Sequence, residues 1–324
     1  MAKIADWDDH IGRRLRLRDL RVFFSVVQSG SLTKAAKHLH VSHPAVSQVI
    51  ADLEHALGVK LFDRSARGVE PTLYARALLA RGRAAFDELR QGIRDIEFLA
   101  DPTTGELTIG YTQSDTVLPQ IIEQFSAKYP RVAIQANIVP TPSLKFPGLR
   151  DRSYDLILTR IPAPIADDAA NDLNVEVLFD DCYVVVASQN GQWGRRRKIA
   201  LAELLDQPWL ISPRDTPSYK IIADAFNAQG LGMPTATLVT YAMELRAKLA
   251  ARGRFITVVP RSVLRHGEYG PALKELDLKL PMLRWSAGIL TLKNRTLSPV
   301  VVRFIECARE VGRAMTTTNS RRQS

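Results

Sequence analysis

Between Gly30 and Gly58 two short helical patterns stand almost end to end, joined only by His40 and Val41. Leu32, Ala35, Ala36 and Leu39 recur at helical spacing in the first. Val46, Val49, Ile50, Leu53 and Leu57 do so in the second. Ser31 and Ser42 precede the two patterns as caps, Pro44 falls in a first turn where its missing N–H costs nothing, and Gly30 and Gly58 suit helix ends. Helices joined by so short a link cannot lie antiparallel. They cross steeply, and the small Ala35 and Ala36 permit a close crossing. This is the helix-turn-helix arrangement, whose second helix can enter a DNA major groove. Its apolar face is used in packing, so His43, Ser47 and Gln48 project outward. Gln can bond an adenine edge twice; Ser and His can make one bond each. Pro44 would press its ring toward a thymine methyl. A surface helix of a small bundle is the other reading of this stretch.

The flanking sequence favours the first reading. Leu17, Leu20, Phe23, Phe24 and Val27 make one apolar stripe over Leu17 to Ser29. After the second helix, Val59 to Arg64 and Val69 to Pro71 read as two strands around the turn Ser65 to Gly68. Such a β-wing carries Arg64 and Arg67, which with Thr33 suit phosphates or a narrow minor groove. Thr72 caps a long helix to about Ala100. Leu79, Phe86, Leu89, Ile93, Ile96 and Ala100 make a coiled-coil seam on it, so a dimer is expected, with two reading helices matched to a two-fold symmetric site.

The chain has 324 residues, enough for two or three domains, and 46% are hydrophobic, which supports ordinary cores. Lys and Arg number 44 against 34 Asp and Glu, a formal net charge of +10. That permits a polyanionic partner without locating it. Arg195 to Lys198 is a dense basic run that reads as a solvated loop. No apolar run of about 18 residues is present, so no membrane partner is expected, and the N-terminus has no signal-peptide core. A cytoplasmic protein is expected. Cys182 and Cys307 have no metal or disulfide spacing and read as buried thiols. His38, His40 and His43 cluster at the helix join without Cys or paired carboxylates. No nucleophile elbow, phosphate-binding Gly loop or zinc spacing occurs. The expectation is a protein that is not an enzyme and takes no metal or cofactor.

Residues 18–105 resemble the N-terminal part of LysR-type transcriptional regulators. The resemblance rests on Leu20-Arg21-Val22-Phe23, Gly30-Ser31-Leu32-Thr33, Ala35-Ala36, Leu39, Val41-Ser42, Pro44-Ala45-Val46-Ser47, Ile50, Leu53-Glu54, Leu57-Gly58, Leu61-Phe62 and Arg64. His43 stands where that family commonly has Gln, and Tyr74-Ala75 near where it often has Ala-Gly. The resemblance implies residues 16–72 as a winged helix-turn-helix domain that binds double-stranded DNA, and 73–100 as a dimerising linker helix. Residues 1–15 would be a flexible arm.

Asp101-Pro102-Thr103-Thr104-Gly105 reads as a hinge. Beyond it strands and helices alternate, which argues a parallel sheet: strands at Glu106 to Thr112, Val132 to Val139 and Tyr154 to Thr159, then Val175 to Phe179, Tyr183 to Ser188, Trp209 to Ile211, Thr235 to Val239 and Phe255 to Val259. The last helix runs from Pro299 to about Arg313. Gly105-Glu106-Leu107-Thr108-Ile109-Gly110, Tyr154-Asp155-Leu156, Leu201-Ala202-Glu203-Leu204, Gln207-Pro208-Trp209 and Ile256-Thr257-Val258-Val259-Pro260 extend the resemblance to the family's two-lobed, periplasmic-binding-protein-like effector domain, at 105–310. The fold class is thus α/β behind an all-α winged head. Lobe 1 would hold 105–162 and 268–310, lobe 2 163–267, with crossings near Ile161-Pro162 and His266-Gly267. Residues 314–324 read as a disordered tail.

In open α/β sheets ligands sit beyond the carboxyl ends of the strands. Thr112, Gln113 and Ser114, then Thr141 and Ser143, Arg160, and Asp215 with Thr216 occupy such loops. Hydroxyls and helix-start N–H groups with Arg160 suit a small organic anion such as a carboxylate. The same Ser and Thr residues also read simply as helix caps. The resemblance implies self-association to a homodimer or homotetramer, a small organic effector, and RNA polymerase as a partner. Two alternatives stay open: a DNA-binding regulator with no working pocket, and a ligand-binding protein whose helical head serves only in assembly.

Overall fold

The computed structural model describes residues 15–65, 68–112, 117–139, 146–162, 171–278 and 284–320. They divide into two compact units, Met1–Arg90 and Gln91–Ser324. The first contains α1 (Leu17–Ser29), α2 (Leu32–Leu39), α3 (His43–Leu57), the hairpin β1 (Phe62–Ser65) with β2 (Gly68–Pro71), and the first turns of α4 (Leu73–Ala100). Its core is Phe23, Val26, Leu32, Ala35, Ala36, Val46, Ile50, Leu53, Leu61 and Phe62. Gly30 and Gly58 end α1 and α3 in the left-handed region, with φ of 60° and 68°. His40 does the same for α2, with φ of 55°. Ser31 and Ser42 accept bonds from the N–H groups of Lys34 and Ala45. The wing is tied back to the first helix turn: Val69 N donates to Gly30 O at 3.2 Å. A side chain on Gly68, whose φ is +126°, would press on that same oxygen.

Not all of the expected seam on α4 is free. Leu79 packs against the head's core, and the Phe86 ring meets Phe24 edge-on at 5.4 Å. The reason is that the first turns of α4 cover the head, so their apolar residues already have a partner in their own chain. Further along, Leu89, Ile93 and Ile96 are 49%, 59% and 68% exposed, and Leu99 is exposed as well.

The second unit is built on strands that share one long member. In its first half β4 (Arg131–Ile138), β3 (Thr104–Tyr111), β5 (Leu156–Pro162) and β11 (Arg284–Leu292) lie side by side, and β11 pairs with residues Leu173–Cys182 of β6 (Leu173–Ser188). The rest of β6 pairs with β9 (Ile256–Pro260) through Tyr183↔Pro260 to Val186↔Thr257. Beyond β9 lie β7 (Trp209–Ile211) and β8 (Ala236–Val239), and β10 (Leu273–Glu275) pairs with the end of β6. The helices are α5 (Leu118–Lys128), α6 (Pro147–Arg150), α7 (Pro217–Asn227), α8 (Met243–Ala251), α9 (Arg261–His266) and α10 (Pro299–Ser320). Lobe 1 has its main core around Ile109, Ile121, Phe125, Leu158, Ile289 and Phe304. Lobe 2 has two: Val185, Trp209, Phe226 and Val258 on one face, Val184, Val186, Ala247 and Val259 on the other. Cys182 and Cys307 are free, buried thiols, and burial raises the pKa of both.

Three sequence expectations are corrected. The forward crossing is not at Ile161-Pro162, because 173–182 still belong to lobe 1; the strands expected at Val175 to Phe179 and Tyr183 to Ser188 are one strand that passes between lobes. Asp180-Asp181 reads as a break in the sequence, yet both carboxylates find local donors: Asp180 accepts from Ser286 Oγ at 2.7 Å, and Asp181 Oδ1 from Cys182 N and Ser262 N, while Asp181 Oδ2 is buried without a donor. The return crossing is not at His266-Gly267, because β10 pairs with lobe 2 and Leu276 lies in its core; from Arg284 onward the chain pairs with the lobe 1 stretch of β6. Finally, 314–324 is not a tail from its start. α10 continues to Ser320 because Val311 and Met315, four apart, extend its buried stripe, and Thr316 Oγ1 donates to Gly312 O.

The linker helix is fastened to lobe 1 at its end. Phe98 packs on the lobe 1 core, and Arg94 reaches the carboxylates of Asp155 and Glu106, each at 3.6 Å. Asp155 is buried and also takes Arg295 at 2.8 Å and Thr108 N at 2.8 Å.

Candidate functional site

The head offers one surface for DNA. Val46, Ile50 and Leu53 turn α3 inward, so Pro44 and Gln48 share the opposite side, and His43 is the first residue of the helix; all three are exposed, and Ser47 is half-buried. Thr33, on α2, is exposed. Arg64 pairs with Val69 in the wing, while its side chain and all of Arg67 lie outside the described residues. Gln48 has a partner the sequence reading missed. Its Nε2 donates to Asp52 Oδ1 at 2.8 Å, one turn on. The i,i+4 spacing of an amide and a carboxylate was the signal. With one amide N–H given to Asp52, Gln48 keeps its oxygen and its second N–H for a paired bond to the adenine edge, with its rotamer set by Asp52.

Glu54 is a second residue overlooked in the sequence. It is buried on α3 and accepts from Leu61 N at 2.8 Å, Phe62 N at 3.2 Å and Lys60 Nζ at 3.0 Å. Burial pushes its carboxyl up, but the N–H of Leu61, the Lys60 ammonium and the N–H of Phe62 together hold it below the ordinary value. It fixes the start of the wing against the reading helix. An acid beside Leu53 in an otherwise apolar face was the clue.

In the second unit Arg160 spans the two lobes. It leaves β5 of lobe 1 and stacks between the rings of Trp285 at 4.8 Å and Tyr183 at 5.2 Å. Its Nη1 donates to the Tyr183 hydroxyl, and its Nη2 lies 3.9 Å from Met243 Sδ on α8 of lobe 2. Trp285 packs against the cores of both lobes, and its Nε1 is buried without an acceptor. Asp181, on β6, is buried. Desolvation raises its pKa, against the hydrogen bonds from Ser262 and Cys182 and the charge of Arg160.

The other expected ligand residues are placed differently. Thr112 is buried and its hydroxyl pairs with that of Thr159 at 2.8 Å, across β3 and β5. Thr216 caps α7, accepting from Tyr219 N and donating to Pro213 O at 2.7 Å. Asp215 is exposed and accepts from the Tyr241 hydroxyl at 2.6 Å, which joins the loops after β7 and β8. Gln113, Ser114, Thr141 and Ser143 lie outside the described residues. In the run Arg195 to Lys198 all four are exposed; Arg196 pairs with Glu203 at 2.6 Å and stacks on Trp193. Among the described residues no cluster of His, Cys, Asp or Glu forms a metal cage, and no helix is long and apolar enough to cross a membrane.

Comparison with known proteins agrees with this division. Residues 17–76 match the bacterial regulatory helix-turn-helix protein, lysR family, and residues 100–313 match the LysR substrate binding domain. The chain is 27% identical over 296 residues to the HTH-type transcriptional regulator GalR of Pseudomonas putida, covering 91% of this chain and 73% of that protein. It is 26% identical to the transcriptional dual regulator GltC of Bacillus subtilis, covering 90% and 96%. Among solved structures, ArgP from Mycobacterium tuberculosis superposes with a TM-score of 0.62 at 20% identity, covering 91% of this chain and 96% of that one. Full-length CbnR complexed with its target DNA gives 0.58 at 21%, covering 92% and 100%. The chain belongs to the LysR family of DNA-binding transcriptional regulators, with a helix-turn-helix head and an effector-binding domain.

Proposed function

We propose that this regulator reads DNA through His43, Pro44, Ser47 and Gln48 and holds the backbone through Thr33, Arg64 and Arg67. The observation that carries the reading is the two-sided α3, polar and exposed at its first turns and buried through Val46, Ile50 and Leu53. It acts in the cytoplasm as a homodimer or homotetramer joined along Leu89, Ile93 and Ile96, with RNA polymerase as its partner at promoters, and catalyses no reaction. Selection of bound sequences from random DNA at a stated salt concentration, followed by footprinting, tests this. A two-fold symmetric motif is expected; binding without any enriched motif overturns it.

The effector is a small organic anion received between the lobes. Arg160, which reaches from one lobe to the other, supports this reading. An anion bound there favours one lobe arrangement by its differential affinity for the two and so changes the spacing of the heads on DNA. A thermal-shift comparison of organic acids with neutral sugars checks it, and stabilisation by neutral compounds alone rules it out.

A further inference from the structure

Arg246 is a buried cation close enough to Arg160 to feel its charge, and no ion pair among the described residues neutralises it. It lies on α8, one turn after Met243 and on the same side, and Met243 is the residue that Arg160 reaches. Its side chain is only 3% exposed. Nη1 donates to Val258 O at 2.9 Å and Thr257 Oγ1 at 3.2 Å, both on β9, while Nε is buried with no acceptor. Among the described residues no carboxylate forms an ion pair with it. Desolvation lowers its pKa to about 10; the Tyr183 hydroxyl works against this and the Arg160 charge adds to it. The group therefore stays charged at neutral pH. A buried guanidinium bonded only to neutral oxygens bears most of its desolvation cost uncompensated. Nearby, the Trp285 Nε1 donor also lacks an acceptor. Asp181 is close enough to feel Arg160 but is not among the charges that act on Arg246; its Oδ1 accepts from the N–H groups of Cys182 and Ser262, and its buried Oδ2 has no donor. Arg246 itself thus keeps an unmet donor and a charge that no ion pair among the described residues offsets.

We infer that Arg246 is the anion receptor of lobe 2: the effector's oxyanion, a carboxylate or a phosphate, docks on its guanidinium, while Arg160 with Tyr183 and Trp285 closes on the same ligand from the other side. This rests on the organic-anion reading above and assigns the residue that enforces it. An ester or amide of the same acid would leave the buried charge unpaired, so Arg246 selects acids over neutral analogues.

The test uses the full chain, hydrogen exchange followed by mass spectrometry, and sodium succinate, inorganic phosphate and galactose as probes at constant ionic strength set by chloride. Succinate or phosphate, whichever class fits, is expected to slow exchange over 243–251 and 256–260 of the unaltered protein, and galactose is not. In R246M, which keeps length and loses charge, that protection disappears, and the melting temperature in chloride alone is no lower than for the unaltered protein. R246K, which keeps the charge and loses the planar fork, recovers part of the protection. Protection that survives in R246M overturns the role of Arg246 while leaving the organic-anion reading standing. No protection by either anion in the unaltered protein removes both. A melting temperature of R246M well below that of the unaltered chain would assign Arg246 to holding β9 through Val258 and Thr257 instead.

Discussion

Gln48 and Asp52 set a conflict on the reading helix. The acid repels DNA phosphates and occupies one of the two amide donors of the residue best suited to bond a base. Gln48→Ala is expected to cost about 1–3 kcal/mol at the preferred site and to relax preference at one base pair. Asp52→Ala is expected to act the other way, tightening binding to preferred and random DNA alike and freeing the Gln48 amide. Titrations of both variants on the two DNAs, across a salt series, measure this. Equal weakening of Q48A on both DNAs would remove Gln48 from the base-reading set. Unchanged affinity of D52A would mean that the Gln48–Asp52 bond opens at no cost. Sequence alone gave the outward polar residues, because helical period and caps determine them. It did not give their pairing, since an i,i+4 bond forms only if both rotamers agree.

At the level of elements, the wing is held by one buried carboxylate. Glu54→Gln keeps the shape but cannot accept with full charge, and is expected to lower head stability by about 1–3 kcal/mol. The pH dependence follows from its direction of shift. The folded carboxyl titrates below its ordinary value, so its stabilisation is present in full above the unfolded value near 4.5 and is lost as pH falls through the lower folded value. Denaturant melts of the full chain between neutral and acidic pH should show this loss, and E54Q should lack it. An identical acid dependence in E54Q would place the effect on other carboxylates. The three head helices, the wing and most of the α/β alternation were legible because each follows from a local period, cap or turn. The lobe boundary was not. Strand β6 reads in sequence as two apolar stretches, and the pair of acids between them looks like a turn until Ser286, Cys182 and Ser262 are seen to bond them. The end of α10 was misread for a similar reason, since polar composition after Arg313 hid the Val311–Met315 stripe. In the candidate pocket, Arg160 was legible as a cation at a strand end. Arg246 was not, because one Arg in a charged helix of mixed pattern gives no sign of being buried.

For the whole molecule, the exposed row Leu89, Ile93 and Ile96 is the feature that a single chain does not explain. A double variant with Ile93→Asp and Ile96→Asp is expected to sediment as a smaller species than the unaltered protein and to lose binding to a two-half-site DNA far more than to one half-site, because linked heads gain from effective concentration. Unchanged sedimentation would show that other surfaces hold the assembly. Shape within the effector-binding unit depends on β6 in a different way. Its side chains alternate, with Tyr183, Val185 and Ala187 in one core of lobe 2 and Cys182, Val184 and Val186 in the other. The same strand is bonded to β11 in lobe 1. The two lobes are therefore in phase: which residues each core of lobe 2 receives depends on the parity of the chain counted from lobe 1. Adding or deleting one residue near Asp181 without a compensating bulge would exchange the contents of those cores, whereas the same change in an exposed loop would alter only its length. Length at that point is open to change in steps of two, or of one where a bulge takes up the extra residue as the one at Leu178 does.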